Sequence, residues 1–504
     1  MRLFATYVVA MIERSEVSPT VAAAYAVSIA GSCRDAVAML ERIDAATTAG
    51  LLLAAVVAAC AGDRLRSETT LRRAIEAAHD TDRGYLVDLL VPLLVARGLV
   101  TRAATVLDTI AFDQHHAIGQ LALRAVIDAA AGACASSTAA SEAVRGALAH
   151  GTHDEVTRLR VHEHLALAAS YRGDASVALD EVERGLRIVR VRRAPRAAAA
   201  LRAIAYAVHA RLVGDADAAW REANAMLRAA QAAEDAATCE LARVAIYELA
   251  AERGDDEAIR RSHAACESVP MGDEHRTRFG VGVADILRLA LRGDLESARD
   301  VANALAKSAS RRDAERALCE ALLALVALAL GDDLAARRCC RRARTALRTA
   351  PSNALASEVR YRRIAAALCA LADAWAAAED LGGRLTGAGI RRDPEASALH
   401  GLGAGTPLDD VPVTVRGYAR LACIARPPPN SRNARDPLTA TEREILALLA
   451  GGRNATEAAR ITDRNVHTVR THIRNAAAKL DAHGRADLLA RAHRLGITAG
   501  RPLS

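Results

Sequence analysis

At 504 residues the chain is too long for one hydrophobic core, and with 52% hydrophobic but only 3% aromatic residues its interior is expected to consist mainly of Ala, Leu and Val. This composition favours packed helices over sheets, which rely on β-branched and aromatic residues. Only two of the 67 basic residues are lysines, Lys307 and Lys479, and no G-x-x-x-x-G-K-[ST] sequence occurs, so a P-loop ATPase is excluded. Of the net charge of +7, residues 431–504 carry +6 (13 basic, 7 acidic), which would suit a polyanion such as nucleic acid.

Two apolar segments precede the first clear repeats. Met1–Ile12 is followed by charged residues and no small-residue cleavage site, which argues against a secretory signal. Ala45–Ala61 lacks charge over about 17 residues, the lower limit for a membrane span, but it ends at a Gly-Asp pair like other helices here, so we interpret it as a buried helix. Ten cysteines without a C-x-x-C spacing indicate reduced thiols. We therefore expect a cytoplasmic protein with no membrane anchor.

A Gly-Asp pair recurs along the chain at nearly constant spacing. Successive pairs lie 41, 40, 39 and 38 residues apart, at Gly173, Gly214, Gly254, Gly293 and Gly331. Glycine takes the left-handed conformation that ends a helix, and the aspartate accepts hydrogen bonds from free N–H groups of the next helix. An alanine four or five residues beyond each glycine allows the helices to approach closely. Gly62-Asp63 begins an earlier unit.

A period near 40 residues made of two helices predicts an α-solenoid over residues 1–380, in which helix pairs bury their apolar faces by stacking on one another. The segments GDASVALDEVERGL, GDADAAWREANAML and GDLESARDVANAL resemble the turn and second helix of tetratricopeptide repeats. The period exceeds the 34 residues usual in that family. The resemblance therefore implies a tetratricopeptide-like region rather than a regular member of the family.

The repeat pattern ends near Glu379. Residues 381–435 are rich in Gly and Pro and end in Pro427-Pro428-Pro429, where each proline disfavours helix at the residue before it. We predict a linker here, in which Val411–Ile424 could form a short ordered element. A separate small domain is predicted over residues 436–504.

Four helices are predicted within residues 436–504 from their capping signals and apolar stripes. A capping box opens the first helix, Asn454 with Glu457 opens a short second one, and the fourth presents Leu and Ala on one face. The predicted signals are Thr439 with Glu442 for the first helix, Asn465 as the cap of the third, and Arg485–Leu495 for the fourth.

The third helix has two distinct faces. Apolar residues at steps of three and four form one buried stripe, namely Val466, Val469, Ile473, Ala476 and Leu480, and the opposite stripe consists of His467, Arg470, Thr471 and Arg474. A short helix, a tight turn and a longer helix presenting arginines predict a helix-turn-helix, because an α-helix fits the DNA major groove and arginine binds guanine bidentately. A solvated arginine face is the plain alternative, which the basic four-helix setting disfavours.

This segment resembles the DNA-binding domain of LuxR-type transcriptional regulators. The residues that carry the resemblance are Leu438, Thr439, Glu442, Glu444, Gly452, Glu457, Ala459, Thr468, Val469, His472, Lys479, Leu480 and Arg485. The resemblance implies base contacts from Arg470, Thr471 and Arg474. It implies phosphate contacts near Asn465, Thr468, His472 and Lys479, and the polar stripe adds His467 to these predicted DNA-binding residues.

No catalytic or metal-binding constellation is predicted. His162 and His164 lie about 200° apart on a regular helix, so they cannot converge on one ion. Cys339-Cys340 lies in an arginine-rich stretch that would favour a reactive thiolate, but buried thiols are the simpler interpretation. We expect no enzyme activity, no cofactor and no metal.

The pairing of helical repeats with such a domain resembles the large LuxR-type regulators without their ATPase module, and it implies that residues 1–380 sense a ligand or bind a partner. We predict a regulator that binds double-stranded DNA as a homodimer, controlled by a small-molecule or protein effector. The alternative is a solenoid scaffold or adaptor whose terminal domain no longer reads DNA. Four residues stand where larger apolar residues are typical of the family, and they are expected to thin the core of the small domain more than to change how it docks on DNA: Ala458, Thr462, Arg464 and Ala476.

Overall fold

The computed structural model describes most of the chain. The described residues are 19–110, 116–267, 275–309, 313–349, 356–377, 397–399, 402, 407–412, 415–425, 438–462, 464–480, 482–494 and 497.

Helices account for nearly all of these residues. The first twelve are α1 (Pro19–Ala30), α2 (Cys33–Leu40), α3 (Thr48–Cys60), α4 (Arg64–Ala77), α5 (Asp80–Ala96), α6 (Val100–Thr109), α7 (Ala117–Ala130), α8 (Cys134–His150), α9 (Glu155–Arg172), α10 (Ala175–Arg192), α11 (Pro195–Val208) and α12 (Ala216–Ala232). The others are α13 (Ala236–Arg253), α14 (Asp256–Glu267), α15 (His275–Arg292), α16 (Leu295–Ser308), α17 (Asp313–Ala329), α18 (Asp333–Thr349), α19 (Ala356–Ala377), α20 (Arg416–Ala425), α21 (Ala440–Ala450), α22 (Ala455–Ile461), α23 (Val466–Lys479) and α24 (Arg485–Arg494). A π-helical turn, His209–Val213, follows α11, and a 3-10 turn, Leu408–Asp410, precedes α20.

The all-α prediction is confirmed: the part of the chain that the structure describes contains no strand. The uncharged segment Ala45–Ala61 forms α3, whose side chains are largely buried by neighbouring helices. None of the described helices is long and apolar enough to cross a membrane.

The Gly-Asp pairs end one helix and begin the next, as predicted. The repeat glycines have φ between 65° and 86°, in the left-handed region. At Asp215 and Asp294 the carboxylate accepts a hydrogen bond from the backbone N–H three residues later, at 2.9 and 3.2 Å. Asp174 departs from this pattern, because its carboxylate pairs with Arg172 instead and makes no cap. Four of the five alanines behind these turns are buried and Ala335 is half-buried, which brings the paired helices close together.

The structure contains two compact units. One comprises Met1–Ile246 with Ala265–Thr277 and Asn353–Ser357, and the other comprises Tyr247–Ala264, Arg278–Ser352 and Glu358–Ser504. The second unit therefore groups the later repeats with the small domain predicted at 436–504. The boundaries that we predict at residues 380 and 435 describe functional segments and stay a prediction.

The first unit is a stack of helix pairs with a continuous apolar core. From α1 to α12 each helix contacts the next, and α5, α7, α9 and α11 also pack on one another in that order. A buried polar cluster joins α1, α5 and α9: Asp88 Oδ2 accepts hydrogen bonds from the Tyr25 hydroxyl (2.6 Å) and Arg160 Nε (2.8 Å). Arg160 also pairs with Glu163 at 2.8 Å. Burial alone would raise the pKa of Asp88, but the Arg160 charge holds it below its usual value.

In the second unit, α20 lies within the segment predicted as a linker and corresponds to the short ordered element expected at Val411–Ile424. It is buried against α13 and α17. The Tyr418 hydroxyl donates to Glu252 Oε1 (3.1 Å), and a Cβ at Gly417 would lie 2.0 Å from the carbonyl oxygen of Ala251. Only glycine permits this contact. The Pro-rich end of the predicted linker lies outside the described residues.

Candidate nucleic-acid interface

Helices α21 to α24 form the predicted four-helix domain, and the N-termini of α21, α22 and α23 carry the predicted caps. The Thr439 side chain accepts from the Glu442 N–H (3.2 Å) while Glu442 Oε2 accepts from the Thr439 N–H (2.8 Å). Asn454 and Glu457 make the same reciprocal capping box before α22. Such boxes satisfy N–H groups that have no partner inside the helix. The local sequence therefore fixes where these two helices begin.

The apolar faces of the four helices meet in one small core. It contains residues from all four helices and their flanks: Leu438, Ile445, Leu446, Leu449, Ala458, Ala459, Val469, Ala476, Leu480, Leu488, Leu489, Ala492 and Ile497. Val466 and Ile473 are half-buried against it. The predicted apolar stripe of α23 thus faces the core, and its polar stripe faces away from it.

The turn between α22 and α23 sets the start of the second helix of the motif. The Thr462 hydroxyl donates to the carbonyl oxygen of Ala458 (2.8 Å), and the Arg464 N–H donates to that of Ala459 (2.9 Å). Asn465 then caps α23, because its Oδ1 accepts from the His467 N–H at 2.8 Å. The result is a short helix, a tight turn and a longer helix, the arrangement of a helix-turn-helix.

Six of the eight predicted DNA-binding residues share the outward side of α23 or its cap. Asn465, His467, Thr468, Arg470, Thr471 and Arg474 are exposed, whereas His472 is half-buried. Thr471 Oγ1 donates to the carbonyl oxygen of His467 (3.0 Å), which holds this hydroxyl on the helix surface. Within the described residues, Arg470 and Arg474 have no carboxylate partner, so both guanidinium groups are free to bind an external acceptor.

Lys479, the eighth predicted residue, is exposed but forms an ion pair within the domain. Its ammonium group donates to both carboxylate oxygens of Glu442, at 3.0 and 2.8 Å, and so joins the end of α23 to the start of α21. Burial alone would raise the pKa of Glu442, but hydrogen bonds from Lys479 and Thr439 hold it below its usual value. The predicted phosphate contact would have to share Lys479 with this ion pair.

The sequence did not reveal how α24 is held. Arg491 is buried, with Nε donating to Asp487 Oδ1 (2.8 Å) and Nη1 to the carbonyl oxygen of Leu480 (2.9 Å), which ties α24 to the end of α23. Arg494 donates to the carbonyl oxygens of Leu328 in α17 (3.1 Å) and Ile424 in α20 (2.7 Å). These contacts join the small domain to the other helices of the second unit.

A glycine of the Gly-Asp series makes room for this docking. A Cβ on Gly293 would lie 2.6 Å from Leu489 Cδ1, so a larger residue there would require the Leu489 side chain to move. Burial of Arg494 among these helices, together with the neighbouring Arg491 charge, lowers its pKa to about 10. No pattern inside the small domain points to this docking, because Arg494 meets Leu328 across 166 positions and Ile424 across 70.

Two exposed arginines near the motif were not among the predicted residues. Arg460 lies in the last turn of α22 and Arg464 lies in the turn that follows, and both side chains are exposed. The concentration of positive charge in residues 431–504 could have indicated that more arginines than the predicted ones belong to this surface. Arg460 and Arg464 extend the positive surface beside α23.

The other sequence candidates have local partners. His162 Nδ1 lies 2.8 Å from Glu181 Oε2, and among the described residues no group of three His, Cys, Asp or Glu side chains is arranged to hold a metal. Cys339 is buried, and burial raises its thiol pKa to about 11 despite the nearby Arg342. The reactive-thiolate alternative is therefore unsupported, because a raised pKa reduces the thiolate fraction.

Comparison with known proteins places the motif in a family. Residues 436–492 match the family described as GerE, bacterial regulatory proteins, luxR family. The chain is also similar to the HTH-type quorum sensing-dependent transcriptional regulator RpaR of Rhodopseudomonas palustris, with 39% identity over 85 residues. The similar part covers 17% of this chain and 34% of that relative, so the chain spans about a third of the relative's length. Residues 436–492 are thus a LuxR-type helix-turn-helix domain.

Proposed function

We propose that this protein is a transcriptional regulator that binds specific double-stranded DNA sequences through α23. The observation that carries the proposal is the pair Arg470 and Arg474, exposed and without carboxylate partners on the outer face of the second helix of a LuxR-type motif. Arginine on a major-groove helix can donate two hydrogen bonds to guanine O6 and N7. The relative's name describes it as a transcriptional regulator, which supports the same assignment here.

The remaining polar residues of the motif would position the protein on the DNA duplex. Asn465, Thr468 and His472 would contact phosphates, while the exposed His467 and Thr471 would face the base edges. Phosphate contacts fix the register of a protein on the duplex and carry no sequence information directly. We expect two copies of the chain to bind two half-sites, so that the operator has approximate two-fold symmetry.

The helical repeats would supply the regulation. In this proposal a small ligand or protein bound to the repeats alters DNA binding by the small domain, in a cytoplasmic protein without catalytic activity. The contacts that join α24 to α17 and α20 support this view. Through them, a structural change in the repeats of the second unit would reach the DNA-binding domain directly.

The test is duplex binding by the full chain. A selection from random duplexes should yield an enriched sequence, and titrations should then compare that duplex with a scrambled one. We expect Arg470→Ala and Arg474→Ala each to cost about 1 to 3 kcal/mol of discrimination, as a bidentate arginine–guanine contact does. Both variants should keep the wild-type circular dichroism, since neither side chain supports the core.

The matched control is Arg299→Ala, which removes an exposed arginine from α16 that pairs with Glu296. It should leave duplex binding unchanged. If no sequence is enriched, or if Arg470→Ala and Arg474→Ala bind the selected duplex as the wild type does, the proposal is wrong and the adaptor alternative is favoured.

A further inference from the structure

Three consecutive helices of the first unit enclose a groove rich in arginine. The groove lies between α8, α9 and α10 and has a volume of about 460 Å³. Small-molecule sites typically measure about 300 to 1,000 Å³. The groove is therefore large enough for a metabolite-sized ligand.

Each helix turns one face into the groove. Arg158 and His162 are four residues apart on α9, and Glu181, Arg184 and Arg187 follow at intervals of three on α10. Residues three or four apart share one side of a helix. Arg145 on α8 completes the lining, so four arginines meet around a single carboxylate.

Both oxygens of the single carboxylate in the groove, that of Glu181, already have partners. Glu181 Oε1 accepts from Arg145 Nε at 2.9 Å, and Glu181 Oε2 lies 2.8 Å from His162 Nδ1. Burial alone would raise the pKa of Glu181, but hydrogen bonds from His162 and Arg145 hold it below its usual value, so it is ionised at neutral pH. It therefore compensates at most one of the four guanidinium charges.

The remaining donors have no acceptor. Arg145 Nη2 is buried and makes no hydrogen bond in the described structure. Arg158, Arg184 and Arg187 are exposed at the groove and also lack a carboxylate partner among the residues described. A buried donor without a partner costs free energy, and like charges gathered in one groove repel each other. An anion in the groove would relieve both costs.

We propose that this groove binds a small organic anion that carries at least two phosphate or carboxylate groups, and that this anion is the effector of the regulator. Guanidinium groups bind both kinds of anion through paired hydrogen bonds. Leu148 and Ile188 provide an apolar wall for the carbon skeleton of the ligand. Binding of the anion stands independently of DNA binding, whereas its role as effector rests on the proposed function.

The first experiment is calorimetric titration of the full chain, without DNA and at constant ionic strength. The probes are fructose 1,6-bisphosphate, ADP, citrate and inorganic pyrophosphate, which separate organic phosphates from a carboxylate and from an anion without a carbon skeleton. We expect saturable one-to-one binding of at least one organic probe. Loss of two guanidinium groups in Arg184→Ala/Arg187→Ala should weaken that binding by about tenfold or more.

The matched control is Arg190→Ala on the same helix. Arg190 pairs with exposed Glu183 at 2.5 Å and does not line the groove, so this variant should bind the probe like the wild type. The proposal is wrong if none of the organic probes binds saturably, or if Arg190→Ala loses as much affinity as the double variant. Binding of pyrophosphate alone would also contradict it, because the carbon skeleton would then contribute nothing.

The second experiment adds the selected duplex. The probe that binds should change the duplex dissociation constant of the wild type by at least about threefold and leave that of Arg184→Ala/Arg187→Ala unchanged. Absence of any change would overturn the effector role while calorimetric binding stands. If the double variant binds duplex more weakly with no probe present, the groove belongs to a nucleic-acid surface and the small-anion proposal is wrong.

Discussion

Arg160 in the first unit and Arg470 on α23 are the same residue type in opposite surroundings. Arg160 is buried and donates to Asp88 and Glu163. Arg470 is exposed and has no carboxylate within reach in the described structure. A buried guanidinium must be paired, because its desolvation is costly, whereas an exposed one remains available to a ligand. This chain has almost no lysine, so most of its positive charges are arginines. An arginine that is buried and paired with a carboxylate stabilises the fold, whereas an exposed arginine without such a partner is available for binding.

The first way to test this comparison is to remove the carboxylate from the buried cluster. Asp88→Asn keeps the side-chain volume but leaves Arg160 with only Glu163 as a charged partner. We expect the free energy of unfolding to fall by about 3 kcal/mol, the lower end of the range for breaking a buried pair. Urea denaturation followed by circular dichroism measures this change.

The same variant should alter the acid dependence of stability. Because the folded pKa of Asp88 is lowered, its ionised form stabilises the fold above the unfolded carboxyl value of about 3.9, and this contribution is lost as the pH falls through the folded pKa. Asp88→Asn should therefore lose less stability than the wild type on acidification. The control Glu183→Gln, which breaks the exposed pair with Arg190, should cost less than about 1 kcal/mol. Equal losses in the two variants would contradict the comparison.

Arg494 tests whether a half-buried arginine can hold one part of the second unit on another. Arg494→Met keeps much of the side-chain length but removes the hydrogen bonds to the carbonyl oxygens of Leu328 and Ile424. Hydrogen bonds to a charged group are worth about 1.5 to 3 kcal/mol, so docking of α24 should weaken by that order. Limited proteolysis should then release the C-terminal fragment at least about tenfold faster.

The control for this variant is Arg453→Ala, an exposed arginine of the same small domain. It should leave the cleavage rate unchanged, because its exposed side chain makes no hydrogen bond or ion pair among the residues described. Unchanged cleavage of Arg494→Met would show that the apolar contacts of α24, including Leu489 on Gly293, hold the domain without the arginine.

Substitution of Lys479 has the smallest expected effect on stability. This residue lies between the two classes of cation, the buried and paired ones and the exposed ones that are available to a ligand. Its side chain is 37% exposed and yet paired with Glu442. Lys479→Ala should lower the free energy of unfolding by about 1 kcal/mol, as expected for a partly exposed pair within a capping box. It should also weaken binding to all duplexes alike and reduce the salt dependence by about one unit if it contacts a phosphate.

Lys479→Arg separates the two roles of this residue. Arginine can keep both the pair with Glu442 and the positive charge, so stability and salt dependence should return to wild-type values. A loss of stability in Lys479→Ala with an unchanged salt dependence would remove Lys479 from the DNA-binding residues and leave it as a structural cation.

The helix-turn-helix could be predicted closely because its signals are local. The capping boxes at Thr439 and Asn454 and the apolar stripe through Val469 and Ala476 each involve residues within one helix or its cap. Short-range hydrogen bonds and helical periodicity depend little on the rest of the chain. The sequence also indicated the Gly-Asp turns, since glycine at a left-handed position is a local requirement. The predicted helix cap at Asp174 was wrong, because the carboxylate of Asp174 accepts a hydrogen bond from Arg172 instead.

The sequence by itself determined the helices, their ends and the outward face of α23, because each follows from residues a few positions apart. Only the tertiary structure decided which arginines are buried and paired, since Arg160 meets Asp88 across 72 positions and Arg494 meets Leu328 across 166. It also decided that α20 packs as a buried helix and that three arginine-bearing helices enclose one groove. Burial and long-range partners depend on how helices stack, and helical periodicity carries no information about which distant helix a given face will meet.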